Sequence, residues 1–229
     1  MDLFSLLASI SKATRLSAVI LCLWFFASKG IAQDAAFARW THLDASQQAT
    51  VLALARRAFD AYVTRRTVID PPRSLDSFLS QPAALFVSTM RHGAPRCCMG
   101  TLYPTQPNAA LEIIENAVAA AGRDRRFAPI QPRELAGLTL IVSFIDRPTP
   151  ISEQELAALD PLQDGLVVRC GDKSGVVLSG ETTRLDRMIA WGRIRAGARP
   201  GQSVEFFRIR DVRYAEPQNS HPSSEASHG

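Results

Sequence analysis

The stretch Arg96-Cys97-Cys98-Met99-Gly100-Thr101 sets two adjacent thiols between an arginine and a glycine. In an extended segment side chains alternate, so Arg96, Cys98 and Gly100 would share one face and Cys97 the other. A guanidinium beside a thiol favours the thiolate, which is the nucleophile. Cys98 is therefore the candidate catalytic residue, with Arg96 as its activator or as an anion-binding group. The competing reading is packing, because free cysteine is among the most buried residue types. A Cys97–Cys98 bond is disfavoured, since adjacent Cα atoms lie about 3.8 Å apart and disulfides span roughly 4.4–6.8 Å. A bridge from either residue to Cys170 stays open. His92, in the turn before the cysteines, is a candidate base toward Cys98 or a solvated turn residue.

Elements must position these groups. "AALFVSTM" reads as a buried strand, and "RHGAP" turns it into a second strand carrying the cysteines. Asp44 or Ser46 caps a helix that runs to about Val63, with Val51, Leu52, Ala55, Phe59 and Tyr62 on one face. Asn108 caps another, with Leu111, Ile114, Val118 and Ala121 as its apolar stripe. "LTLIVSFI" is a strand whose Leu138, Leu140, Val142 and Phe144 share a face. "GLVVRCGDKSGVVL" is a hairpin with a Gly-Asp-Lys-Ser-Gly turn. A helix is expected from Thr183 to Arg195, stopped by Gly197 and Pro200. "SVEFFRIRDV" supplies one last strand. Helices and strands alternate irregularly, which favours an α+β fold over a doubly wound sheet.

The first thirty residues resemble an address label. Lys12 and Arg15 precede the apolar run Leu16–Ala27, and the small residues Gly30 and Ala32 follow. That is the pattern of a secretory signal, with a cut expected after Ala32. The run is shorter than the roughly 18 residues of a spanning helix. The expectation is a periplasmic or secreted protein; the alternative is an uncleaved inner-membrane anchor. Residues 1–32 account for +2 of the chain's formal charge of +4. The remaining +2 is too mild to argue for nucleic acid. Three cysteines follow the signal, an odd number that leaves at least one free thiol or an intermolecular link. Pro/Ser-rich residues 216–229 read as a disordered tail. No metal is expected, because His92, Cys97, Cys98 and Cys170 lack recognised ligand spacing. Phosphate-loop, dinucleotide and Ser-His-Asp patterns are also missing, and no cofactor is expected.

Several segments in series resemble the AMMECR-type domain family. "RCCMGT" resembles its arginine-glycine-cysteine-isoleucine-glycine-threonine signature, and "NAVAAAGRDRRFAPI" its alanine-rich helix followed by Asp-x-Arg-Phe-x-Pro. "ELAGLTLIVSFIDRPTPI", "DGLVVRCGDKSGVVL" and "RAGA" resemble the segments that follow. The resemblance implies a single α+β domain over residues 37–215, with a larger and a smaller subdomain enclosing a cleft around the signature loop. It implies a site formed by Arg96, Gly100, Thr101, Asp124 and Arg126, the last two matching family positions. If Cys98 only packs, Arg96 would pair with a carboxylate such as Asp124. Two positions depart from the pattern. Cys97 replaces the signature glycine, and Leu178-Ser179-Gly180 stands where the family has Leu-Pro-Gln. The expected function is binding of a small molecule or peptide by an exported domain. The alternatives are a cysteine-dependent enzyme acting through Cys98 and a degenerate copy serving as an interaction module. Ligand, reaction and oligomeric state are left open.

Overall fold

A capping box opens the first long helix. Asp44 Oδ1 accepts from the Gln47 N–H at 2.9 Å, and Gln47 Oε1 accepts from the Asp44 N–H at 3.0 Å. This satisfies amide donors that a helix start leaves without intrahelical partners. The helix, α1, spans Ala45–Arg65 and buries Val51, Leu54, Ala55, Ala58, Phe59, Ala61 and Val63. The computed structural model describes residues 36–217. The expected signal and residues 218–229 of the expected tail lie outside them. Of the described residues, 36–39 belong to a separate unit, and the chain from Trp40 onward forms the other.

Two antiparallel sheets follow. The first has strand order β2-β1-β3-β8, from β1 (Ala84–Arg91), β2 (Ala94–Gly100), β3 (Leu138–Ile145) and β8 (Asp211–Ala215). The second has order β4-β7-β5-β6, from β4 (Thr149–Pro150), β5 (Gly165–Cys170), β6 (Lys173–Val177) and β7 (Glu205–Ile209). Helix α2 (Ala109–Gly122) packs with α1 on the first sheet, α3 (Glu153–Ala157) is a single short turn, and α4 (Leu185–Arg195) packs on β5 and β6. The α+β expectation holds. Among the described residues no helix is long and apolar enough to cross a membrane.

Each sheet has its own core. The larger one joins α1, α2 and the inner face of β3, where Leu138, Leu140, Val142 and Phe144 all point as expected. Trp40 stacks on Phe144 with ring centroids 4.3 Å apart. The smaller core joins Leu166, Val168, Cys170 and Val177 to Met188 of α4. Here the helix lies very close to the sheet. A Cβ on Gly175 would fall 2.1 Å from the Gly192 carbonyl oxygen, so only glycine fits. A third cluster fills the space between the sheets, where Ala84, Phe86 and Ile145 meet Val167, Leu178, Phe207 and Ile209.

Three expectations are corrected. The last strand is two strands: β7 pairs with β5 in the second sheet, and β8 pairs with β3 in the first. Arg210 lies between them, so the chain changes sheets within one apparently continuous β pattern. The β5–β6 hairpin turns over Gly171-Asp172 alone, with Cys170 paired to Lys173. Gly171 has φ +62°, the left-handed geometry that permits so short a turn. Finally, Leu111 is only half-buried, while Glu112 and Asn116 of the same helix are buried with the apolar residues.

Candidate functional site

The β1–β2 hairpin presents the signature loop. His92 and Gly93 both have positive φ (51° and 76°), as the primed two-residue turns of hairpins require. Its register pairs Cys98 with Ser88 and Cys97 with Thr89, then slips, pairing Met90 with Pro95. Arg96 is the extra residue of this bulge, a feature that re-aims side chains. Its guanidinium forks onto Glu134, with Nε donating to Oε1 at 2.9 Å and Nη2 to Oε2 at 3.1 Å. Arg96 therefore pairs with Glu134, not with Asp124. Those hydrogen bonds hold the Glu134 carboxyl below its ordinary range, against a smaller opposing effect of burial. His92 is exposed at the hairpin tip. The register places it four positions along from Cys98's partner Ser88, roughly 13 Å at strand spacing, beyond the reach of a base.

The cysteines separate as strand alternation predicts. Cys97 is 1% exposed, lies in the larger core and sits 3.1 Å from Thr89 Oγ1. It occupies ordinary strand backbone, so the family's glycine is not required here by conformation. Cys98 is half-buried against the cluster between the sheets, on which Leu102 and Val176 also pack. Cys170 belongs to the smaller core, away from both. All three thiols are free.

Asp124 and Arg126 clamp the Cys98 peptide. Asp124 Oδ2 accepts from the Cys98 N–H at 2.9 Å, and Arg126 Nη2 donates to the Cys98 carbonyl at 2.8 Å. The two side chains also pair with each other, Nε to Oδ1 at 2.9 Å and Nη2 to Oδ2 at 2.8 Å. Together they do for edge strand β2 what a neighbouring strand would do. Burial works against the Asp124 charge. The hydrogen bonds from Arg126 and from the Cys98 amide outweigh it, and its carboxyl ionises below the usual range.

The loop after β6 and the end of α4 contribute two residues that the sequence does not mark as part of the site. Glu181 accepts from the Leu178 N–H at 2.8 Å and from Arg195 Nη2 at 2.7 Å, and Arg195 also donates to the Val176 carbonyl. Burial, and next the Glu181 carboxylate, push the Cys98 thiol up to about 12; Arg126 and Arg195 pull the other way. Nothing in the local sequence marked Glu181. Arg195 is visible as a helix end and as the first residue of the family-like RAGA segment, neither of which points to Cys98.

Gly100 and Thr101 shape the loop from below. A Cβ on Gly100 would fall 2.3 Å from Phe86 Cγ and 2.5 Å from the Leu85 carbonyl oxygen. Gly100→Ala is expected to destabilise the fold by roughly 1–3 kcal/mol through overpacking, measured by urea unfolding. A change under about 0.5 kcal/mol would show that Phe86 can yield. Thr101 Oγ1 donates to Glu112 Oε1 at 2.6 Å. Glu112 also accepts from the Thr105 N–H at 2.8 Å, its hydroxyl at 3.0 Å and the Gln106 N–H at 2.7 Å. This fully buried carboxylate was a second omission. Its signal was a lone acid inside the apolar run "AALEIIENAVAAA".

The site thus has one half-buried thiol, two ion pairs from the loop after α2 and from the β6–α4 region, and a peptide held by side chains. Among the described residues no three His, Cys, Asp or Glu side chains converge as a metal would need.

Comparison with known proteins agrees with this architecture. A Thermotoga maritima protein is 34% identical over 164 residues, covering 69% of this chain and 92% of the relative. A Thermococcus gammatolerans protein is 35% identical over 136 residues, covering 56% of this chain and 66% of the relative. Against a Clostridium acetobutylicum relative, 33% identical, the chain spans only 26% of the partner's length. The crystal structure of an uncharacterized protein from Pyrococcus horikoshii superposes with a TM-score of 0.67 at 25% identity. It covers 76% of this chain and 93% of its own. The AMMECR1 family model matches residues 52–208, which include the signature loop, its Asp124–Arg126 clamp and the Glu181–Arg195 pair. The chain belongs to the AMMECR1 family.

Proposed function

We propose that this protein binds a small polar molecule or peptide at the face around Cys98, with the thiol protonated. The observation that carries the reading is the pair of ion pairs, Asp124–Arg126 in the loop after α2 and Glu181–Arg195 between the loop after β6 and the end of α4, whose charges both act on one half-buried thiol. They offer donors and acceptors at no net charge, which suits a polar ligand. Arg96, committed to Glu134, supports the site through the hairpin, while Gly100 and Thr101 set the path of the loop. We also keep export as part of the proposal, on the strength of the signal-like pattern from Lys12 to Ala32.

A thiol pushed up to about 12 holds little thiolate at neutral pH. Against an exposed thiol of ordinary pKa near 8.5, native alkylation of Cys98 at pH 7 should be slower by on the order of a thousandfold. The measurement is peptide-resolved iodoacetamide labelling in a Cys97→Ala background. Glu181→Gln should speed it, because a negative charge that opposes thiolate is gone. Rapid native labelling at pH 7 would instead favour a cysteine nucleophile. Native mass spectrometry of protein purified from its own host would read signal cleavage and retained ligand together.

A further inference from the structure

Besides the Cys98 site, the two segments that meet at Glu134 and Asp124 concentrate the protein's charge. Residues 91–98 and 123–134 carry six arginines and two carboxylates, a net of +4, equal to the formal charge of the entire chain. The rest of the chain is neutral in sum. The two carboxylates are turned inward: Asp124 and Glu134 have side chains 4% and 11% exposed and are engaged with Arg126 and Arg96. They anchor the patch and do little to screen its outer side. Arg91 is 46% exposed and reaches Glu134 only at 3.5 Å. Arg125 and Arg133 are exposed, with no acceptor among the described residues.

Within this basic segment stands Phe127, one of few large apolar side chains left exposed. The Arg126 and Arg96 guanidinium carbons lie 5.6 Å and 6.0 Å from its ring centroid. Burial does not account for an exposed phenyl in a segment that also carries Arg125 and Arg133 without acceptors among the described residues. Guanidinium forks match phosphate oxygens, and exposed aromatic rings stack nucleobases whatever their identity. The mild total charge argued against such a partner, but its concentration on one patch reverses that argument.

We propose that the patch formed by Arg91, Arg125, Phe127 and Arg133 binds a phosphorylated planar ring, namely a nucleotide, either free or within a single strand. The base would stack on Phe127 and the phosphates would be met by the arginines. The proposal does not rest on a ligand at Cys98, and Cys98→Ala protein serves as the background that keeps the two sites distinguishable.

The test is calorimetric titration of the full chain with ATP and with inorganic tripolyphosphate at about 50 mM salt, alongside anisotropy of a labelled twelve-nucleotide single strand. Binding should weaken as salt rises, because phosphate contacts release counterions. Arg125→Glu with Arg133→Glu should weaken every probe tenfold or more. Phe127→Ala should remove about a tenfold advantage of ATP over tripolyphosphate, the size expected of one stacked base, and leave tripolyphosphate unchanged. Tight strand binding with weak ATP binding would assign the single strand as source, and the converse would assign the free nucleotide. The proposal is overturned if no probe binds in the millimolar range, or if the arginine reversals leave affinity unaltered. A Phe127→Ala protein that keeps the full preference for ATP also overturns it.

Discussion

Glu112→Ala should lower the free energy of unfolding by about 3–5 kcal/mol, the combined cost of orphaned backbone donors and a cavity. Glu112 is fully buried on α2. Its carboxylate gathers the Thr101 hydroxyl, the Thr105 N–H and hydroxyl and the Gln106 N–H, with Asn116 Nδ2 at 3.4 Å. Alanine leaves two backbone donors without acceptors, and each orphaned donor costs about 1–3 kcal/mol. The cavity left by the missing side chain adds to this.

The same substitution should loosen the chain just after the signature, since residues 101–106 are tied to the helix through this one side chain. Hydrogen exchange should therefore rise at Thr105 and Gln106 before it rises in β3. Glu112→Gln keeps one carbonyl acceptor but turns an NH₂ toward donors, so an intermediate loss is expected. Urea unfolding gives the energies. A loss below about 1 kcal/mol for Glu112→Ala would mean that water replaces the carboxylate, and the network would not be what holds the loop.

Much of the fold was legible because hydrophobic period and end signals agreed. Asp44 and Asn108 cap their helices as read, and β3 shows the expected alternation. The failures have physical reasons. "SVEFFRIRDV" keeps strand-like character through Arg210 while its hydrogen-bonding partner changes from β5 to β3. Period alone cannot reveal a change of partner. The Arg96 partner was misread because strand alternation assumes a regular register, and a bulge interrupts it at that residue. The Cys97/Cys98 division survived because the bulge falls before both. Asp124 and Arg126 were visible only through family resemblance, and even then as groups that would face a ligand. Their backbone role needs the third dimension, because it joins residues 26 and 28 positions apart. Glu181 and Arg195 were harder still. Each is an ordinary charged residue locally, and only the meeting of the sheets brings them to Cys98.

Asp124 is where stability and the site are hardest to separate, and Asp124→Ala is expected to cost about 1–3 kcal/mol, the cost of leaving a buried amide donor without its acceptor. Its carboxylate, with a side chain 4% exposed, accepts from the Cys98 and Arg126 amides and from the Arg126 guanidinium. Removing it unpairs Arg126, whose guanidinium water can still reach, and frees the Cys98 N–H of an edge strand. Because the carboxyl ionises below its ordinary value near 3.8 when folded, its contribution is fully present above about pH 4 and is lost as pH falls through the lower folded value. The wild-type protein should therefore lose stability below pH 4, and Asp124→Asn should remove this residue's share of that loss while lowering the plateau at neutral pH. Asparagine can still accept from Cys98 through its carbonyl, so Asp124→Asn should retain more stability than alanine. Labelling of Cys98 distinguishes a positioning role from a merely structural one. In folded Asp124→Asn protein, the loosened peptide should expose the thiol and speed alkylation at pH 7, whereas Glu112→Gln should leave that rate near wild type. Equal rates in both variants would show that Asp124 stabilises the fold without shaping the Cys98 face.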